Sequence, residues 1–341
     1  MPRETANEAA RPRVGFVGLG NVGAKLAGSL LRDGVDLVVR DLDRAAAEPL
    51  LAAGAGWADS PAELAAACDV VITCLPNPAA SAAVLESGDG ILAGWRAASP
   101  AGPSGGPGAR RRVWAEMSTT DEAEVRRLAA LVAEAGAAAA DCPVSGGCHR
   151  AASGNISIFV GCERDTFEVL FPLLSAMGRR ILHTGPLGSA SVLKVVTNYL
   201  ASANLVSLCE ALVTSAAAGM DLRTTYEAIA ISSGNSFVHE TESQVMLNGS
   251  RDINFTMDLV CKDISLFDAV ARRNGVELEL SPLLLEIFQD AQRRYGGREW
   301  SPNVVRRLED ATGISVRAPG FPAEMVDDEP PQPGVEVTPR H

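Results

Sequence analysis

Residues 14–31 read VGFVGLGNVGAKLAGSLL, an apolar run, a glycine-rich turn and the start of an amphipathic pattern. The run Val14–Val17 predicts a strand and the pattern from Val22 to Leu31 a helix. Between them Gly18, Leu19, Gly20, Asn21, Val22 and Gly23 form G-x-G-x-x-G. Gly18 permits the tight turn, Gly20 lets backbone approach a pyrophosphate, and Gly23 lets helix and strand pack closely. The helix N-terminus then turns unpaired N–H groups toward the phosphates. A second apolar strand ends at Asp41, about 20 residues on, where a carboxylate binds ribose hydroxyls. The charge of Asp41 favours NAD over NADP, Leu42 adds no cation, and Arg40 and Arg44 keep NADP open as the second choice.

Working outward, the runs VGFV, LVV, DVVITCL, VWAEM, AAAADCPV, ISIFV and RRILH alternate with Ala-rich amphipathic stretches up to His183. That alternation predicts an α/β, Rossmann-type doubly wound parallel sheet. From about Ser189 to Ala218 the pattern reads as one helix of roughly 30 residues, some ~45 Å long. After it only helices are expected, over Leu222–Ser232, Ser236–Asn248, Met257–Asn274, Ser281–Tyr295 and Asn303–Thr312, the first capped by Asp221. The expected organisation is a flexible leader at 1–12, a dinucleotide domain at 13–185, an all-α domain at 186–316 built on the long interdomain helix, and a disordered Pro- and acid-rich tail at 317–341. The Gly, Pro and Arg stretch 97–112 reads as a floppy insertion.

The sequence holds 30 Lys plus Arg, of which only Lys25, Lys194 and Lys262 are lysine. A chain so biased to Arg keeps Lys where a group must lose or share a proton, which guanidinium cannot do. Lys194 is the only charged residue of GPLGSASVLKVVTNYLASANLVSLC, residues 185–209. A helix this apolar is expected to be buried on most sides, with the ammonium facing a cavity, and Asn198 at i+4 shares it. Burial disfavours the ammonium and brings its titration toward neutral pH.

Bulk properties narrow the functional classes. A formal net charge of −12 argues against nucleic acid. The N-terminus lacks an apolar h-region, no run reads as a membrane span, and seven cysteines without a C-x-x-C pair fit reduced thiols in the cytoplasm. No metal-ligand spacing is present. The apolar long helix predicts a homo-oligomer, a dimer or tetramer.

Two further motifs follow expected strands. In Asp141-Cys142-Pro143-Val144-Ser145-Gly146-Gly147, Ser145 can donate its hydroxyl and the two glycines can turn backbone N–H groups toward an anion. Glu116-Met117-Ser118-Thr119-Thr120 reads equally as cofactor-edge polar groups or as a cap before the helix from Asp121. Asp258 at i−4 from Lys262 suggests an ordinary surface ion pair. A Cys142 or Cys148 nucleophile has no activating partner in the sequence.

With GFVGLGNVG, D-x-P-V-S-G-G, Lys194 and Asn198 at i+4, and Lys262-Asp263 in this order, residues 13–312 resemble the β-hydroxyacid dehydrogenases, the family of 3-hydroxyisobutyrate dehydrogenase and tartronate semialdehyde reductase. The resemblance implies an NAD(P)-dependent oxidoreductase acting on a small hydroxy acid or its semialdehyde. It implies Lys194 as general acid/base, with Ser145, Gly146, Gly147 and Asn198 holding the substrate. Leu75, Pro76 and Ser118 or Thr119 would border the cofactor, and Lys262 would reach it from the second domain. Cys142, Cys148-His149-Arg150 and Ser236–His239 depart from the family pattern, which bears on the substrate and not on the cofactor. The alternatives are an imine reductase or a non-catalytic dinucleotide-binding protein; both generally lack the lysine that this chain retains.

Overall fold

A computed structural model of the chain describes residues 12–98 and 112–338. The expected leader and most of the 97–112 insertion lie outside these residues. The chain divides into two compact units. The first runs to Ser191 and takes in the residues from Glu329 on; the second is Val192–Asp328. The division into compact units falls in the first turn of the long helix.

The first unit is built on ten strands: β1 (Val14–Val17), β2 (Leu37–Arg40), β3 (Gly56–Trp57), β4 (Val70–Thr73), β5 (Val113–Glu116), β6 (Ala138–Asp141), β7 (Val144–Ser145), β8 (Ile156–Gly161), β9 (Gly178–Gly185) and β10 (Val335–Glu336). Their order across the sheet is β10-β9-β8-β6-β5-β4-β1-β2-β3, with β7 paired to β8. From β3 to β6 all pairs are parallel, in the register Val17↔Thr73↔Glu116↔Asp141 at the carboxyl ends. Alternate residues feed cores on the two faces: Phe16, Val39 and Ile72 on one, Val17, Val38 and Val71 on the other. Burial on both faces is why these strands read as continuous apolar runs.

One departure from an all-parallel sheet occurs where β8 meets β6 and β7 antiparallel. Residues 146–155, which join β7 to β8, hold only the short helix Gly147–Ser153 between glycine turns, too little chain for a crossover. The longer helix Arg164–Met177 then carries the chain across to a parallel β9.

The second unit is all-helical: most of the long helix Ser189–Ala217, then Leu222–Ala230, Phe237–Asn248, Met257–Arg273, Leu280–Tyr295 and Arg306–Thr312. The side chains of Leu205, Leu208, Cys209, Leu212 and Val213 on the long helix join Met257, Val260, Ile264, Leu284 and Phe288 in its core. The long helix has 29 residues and contains an 18-residue window with a mean hydropathy of 1.4, long and apolar enough to cross a bilayer. This corrects the expectation that no run approaches a span: the Ser, Thr and Asn scattered through it break the apolar run without lowering its mean below that of a span. Its apolar face has a use inside the unit.

The disordered tail expected over 317–341 also needs correction. Val316 is fully buried, and the chain beyond it binds the second unit through Ala318 N–H to the Leu247 carbonyl (2.9 Å) and Asn248 Nδ2 to the Phe321 carbonyl (2.8 Å). From Glu329 it belongs to the first unit, where β10 lies parallel to β9 and Val337 N–H donates to the Ile181 carbonyl (2.7 Å). Arg164 grips Glu336 with both terminal nitrogens, at 2.6 and 3.0 Å. Composition misleads here because two backbone-paired residues suffice to cover an open sheet edge, which a count of apolar residues does not register. Truncation after Asp328 re-exposes the β9 edge. We expect a melting temperature lower by about 3–8 °C and faster aggregation on heating; unchanged melting by differential scanning calorimetry would show that β10 contributes nothing.

Candidate functional site

In the first unit the glycine loop is shaped by close approach. Gly18 has φ +99°, and a Cβ there would lie 2.3 Å from the Cys74 carbonyl oxygen. A Cβ on Gly23 would meet the Gly18 carbonyl oxygen at 2.0 Å. Gly20 differs: nothing lies within 4 Å of where its Cβ would be, so the middle of the loop is open. That is the fit a dinucleotide pyrophosphate requires, tight packing at the first and third glycines and free backbone at the second. Asn21 and Val22 complete the loop, and Lys25 Nζ donates to the Asn21 carbonyl (3.0 Å). Lys25 is thus a local helix contact and not a group placed to share a proton.

Asp41 is tied to the same loop. Its Oδ2 accepts from Leu19 N–H (2.6 Å) and its Oδ1 from Asp43 N–H (2.9 Å). Beside it the guanidinium groups of Arg40 and Arg44 lie 5.2 and 4.9 Å from the Trp57 ring centroid. Leu75 follows β4, with Pro76 exposed after it, and Leu75 N–H donates to Ser118 Oγ (2.7 Å). Thr119 is half-buried. Gly18, Leu19, Asp41, Leu75 and Ser118 are therefore one connected set.

Ser145 closes β7, and Gly146 and Gly147 follow at φ +128° and +84°, values that favour glycine. Asp141, which heads this motif, has a role that the motif by itself does not reveal. It is fully buried; Oδ1 accepts from Gly188 N–H (2.8 Å), and Oδ2 from Ser191 N–H (2.7 Å) and Ser191 Oγ (2.8 Å). Burial pushes its carboxyl up, opposed by these bonds. It pins the first turn of the helix that carries Lys194 three residues on. A carboxylate about 50 residues before a helix start carries no local sequence signal.

In the second unit Lys194, Asn198, Lys262 and Asp263 come together. Lys194 is 8% exposed, and its Nζ donates to Asn198 Oδ1 (2.8 Å). Asn198 Nδ2 donates to Asp263 Oδ2 (2.5 Å), and Lys262 Nζ pairs with Asp263 Oδ1 at 2.9 Å. The two donors and two acceptors leave the Asn198 amide one orientation. Burial lowers Lys194 to about 8; Asp263 opposes the shift and Lys262 reinforces it. Asp258, the alternative i−4 partner of Lys262, accepts at Oδ1 from Gln292 (2.7 Å), while Lys262 pairs with Asp263. Stacking of Tyr199 on Phe267, centroids 4.2 Å apart, clamps the two helices beside this group.

The other candidates stay outside it. Cys142 is fully buried, and burial raises its thiol well above the ordinary range, the opposite of an activated nucleophile. His239 is buried, bonds the Tyr226 carbonyl (2.9 Å) and lies against the Tyr226 ring, and burial lowers it.

Comparison with known proteins agrees with both halves. The model described as the NAD binding domain of 6-phosphogluconate dehydrogenase matches residues 13–185. The model described as the NAD-binding domain of NADP-dependent 3-hydroxyisobutyrate dehydrogenase matches 188–308. The chain is 32% identical to 2-(hydroxymethyl)glutarate dehydrogenase of Eubacterium barkeri, over 89% of this chain and 97% of the relative. It is 33% identical to an NAD-dependent L-serine dehydrogenase of Pseudomonas aeruginosa, over 88% and 98%. A solved 3-hydroxyisobutyrate dehydrogenase from Salmonella typhimurium superposes with TM-score 0.75 at 28% identity, covering 86% of this chain and 99% of that one. An imine reductase from Myxococcus stipitatus, at 17% identity and TM-score 0.58, shares the fold alone.

The Asp141 bonds generate a stability prediction. Asp141→Ala leaves three buried donors without their acceptor and should cost about 2–4 kcal/mol in denaturant unfolding, with Asp141→Asn losing part of that. An Ala variant as stable as wild type would mean that water or neighbours replace the carboxylate.

Proposed function

The chain belongs to the β-hydroxyacid dehydrogenases, NAD(P)-dependent oxidoreductases of small hydroxy acids, and from that premise we propose that Lys194 is its general acid/base. The observation that carries this is the Lys194–Asn198–Asp263 arrangement, a buried amine brought to about 8 and held by one oriented amide. Gly18, Gly20, Gly23 and Asp41 would hold a nicotinamide dinucleotide, which would supply the hydride acceptor in oxidation and the hydride donor in reduction. Neutral Lys194 accepts the hydroxyl proton in oxidation, and its ammonium donates that proton to the carbonyl in reduction. Asn198 holds the Nζ, and Asp263 fixes the amide that does so. Ser145 with the Gly146 and Gly147 amides anchors the substrate carboxylate, and Lys262 assists at the cofactor.

The substrate we infer is a small β-hydroxy acid of the 3-hydroxyisobutyrate type, or its semialdehyde. The names of the relatives support this: 2-(hydroxymethyl)glutarate, L-serine and 3-hydroxyisobutyrate all carry a CH₂OH group on the carbon that bears the carboxylate. They differ only in the third substituent. The same reading makes the enzyme cytoplasmic, without nucleic-acid or membrane partners, and a homo-dimer or tetramer. Its support is the net charge of −12 and the apolar Leu193 and Leu200, 38% and 53% exposed on the long helix.

NAD is proposed over NADP because Asp41, already holding the loop, would repel a 2′-phosphate. NAD should then exceed NADP in kcat/KM, and Asp41→Ala should narrow the ratio by weakening NAD; a wild-type preference for NADP would refute this reading.

The pH dependence follows from Lys194. Its value falls from 10.5 to about 8, so the neutral base predominates above that pH. For oxidation kcat/KM should rise through about pH 8, and for reduction it should fall through the same point. Lys194→Met keeps the stem and loses the inflection, with turnover down by about 10² to 10⁴ and NAD affinity retained. Lys194→Arg should recover little, since guanidinium stays protonated. Near wild-type turnover in Lys194→Met would move the proton chemistry to another group.

A further inference from the structure

Glu116 ends β5 and is fully buried, yet none of the chemistry above uses it. Its Oε1 accepts from Ser118 N–H (2.9 Å) and, in a short contact, from Ser118 Oγ. Ser118 Oγ in turn accepts from Leu75 N–H (2.7 Å). A hydroxyl that accepts from a backbone N–H has its own proton free to donate, so the chain of bonds runs one way, from Leu75 through Ser118 to Glu116.

The far end of this chain touches the glycine loop. Cys74 N–H donates to the Val17 carbonyl (2.9 Å), and the Cβ position of Gly18 lies 2.3 Å from the Cys74 carbonyl oxygen and 3.0 Å from Leu75 Cδ2. A shift of the Cys74–Leu75 turn is therefore a shift against Gly18. On the other side of Glu116, Oε2 is buried without a hydrogen bond among the described residues, with the Ser81 and Thr73 hydroxyls as neighbours. Thr73 Oγ1 is held by Trp114 Nε1 (2.8 Å). Burial pushes the Glu116 carboxyl up, opposed by its hydrogen bonds, those from Ser118 foremost. A buried carboxyl costs stability unless the groups that donate to it need an acceptor.

We propose that Glu116 is a positioning residue for the dinucleotide, holding the Cys74–Leu75 turn against Gly18 through the Ser118 hydroxyl. The proposal rests on the reading of Gly18–Gly23, Leu75 and Ser118 as cofactor-bordering residues. It also gives Glu116-Met117-Ser118 a use other than capping the helix from Glu122, which Asp121 caps by accepting from Ala123 N–H (2.7 Å) and Glu124 N–H (3.3 Å).

The test compares Glu116→Leu, Glu116→Gln and Ser118→Ala by NAD titration of intrinsic fluorescence, steady-state kinetics and hydrogen exchange of the Leu75 amide in the NAD-free protein. Glu116→Leu should raise the Kd and KM for NAD about three- to tenfold, the loss of one hydrogen bond, with kcat changed by less than about twofold. The Leu75 amide should exchange faster in the same variant. Glu116→Gln restores an acceptor oxygen and should recover most of the affinity. Ser118→Ala should match Glu116→Leu, and the double variant should be no weaker than either, because both break one chain. Wild-type Kd and Leu75 exchange in a folded Glu116→Leu, or additive effects in the double variant, would overturn the proposal. Should Glu116→Leu fail to fold, Ser118→Ala and Glu116→Gln decide alone: wild-type Kd in Ser118→Ala, or tenfold weakening in Glu116→Gln, counts against it. Gly20→Val tests the underlying reading separately, because a branched side chain there blocks the open loop. If it leaves NAD binding intact, the cofactor site lies elsewhere and the proposal falls with it.

Discussion

An ammonium group inside an apolar helix is the constraint around which the second unit is arranged. Lys194 stands alone among apolar and small polar residues for a turn and more on either side, and water cannot solvate it fully. Burial alone would drive such an amine to neutrality. Asp263 draws it back, and Lys262, paired with Asp263, weakens that pull. The outcome of the three terms is a value of about 8, where both protonation states are populated near neutral pH. Burial is the largest cause of that value, Asp263 alone opposes it, and Lys262 adds to it.

The first unit obeys a different constraint, that of distance. Gly18 and Gly23 exist so that carbonyl oxygens can come where a Cβ would stand, whereas Gly20 faces open space. The loop is thereby fixed at two points and free at the one that must approach phosphate. Leu19 N–H on Asp41 ties the loop to the end of β2, and Leu75 N–H on Ser118 ties the turn after β4 to the residues after β5.

How much of this could be read from sequence depends on how local each cause is. The glycine loop, the strand runs, the long helix and the i, i+4 pair of Lys194 and Asn198 are all set by neighbours in the chain, and they stand where periodicity and spacing put them. Asp141 on Ser191 and Asn198 on Asp263 are separated by 50 and 65 residues, and no periodicity reports such a bond. Lys262 shows the same limit: i−4 spacing offers Asp258 as one partner, and Gln292, from another helix, donates to that carboxylate instead. β3 and β10 are two residues each, too short to show alternation, and both are created by an edge that accepts them.

The register of the parallel strands links these observations. Thr73, Glu116 and Asp141 are successive neighbours at the carboxyl ends of β4, β5 and β6, and all three are buried. In open α/β sheets this edge is where ligands bind, and polar side chains there are expected to face the ligand. These three do not: their oxygens take Trp114, Ser118, and Gly188 with Ser191 as partners. Thr73 holds the Trp114 side chain within the sheet, Glu116 holds the Leu75 turn through Ser118, and Asp141 holds the first turn of the long helix. A row of buried acceptors one residue below the ligand-binding edge therefore serves as the footing for groups that reach it. It also explains why carboxylates survive there despite the cost of burying them, since a shorter or apolar side chain would leave N–H groups of the overlying turns without acceptors.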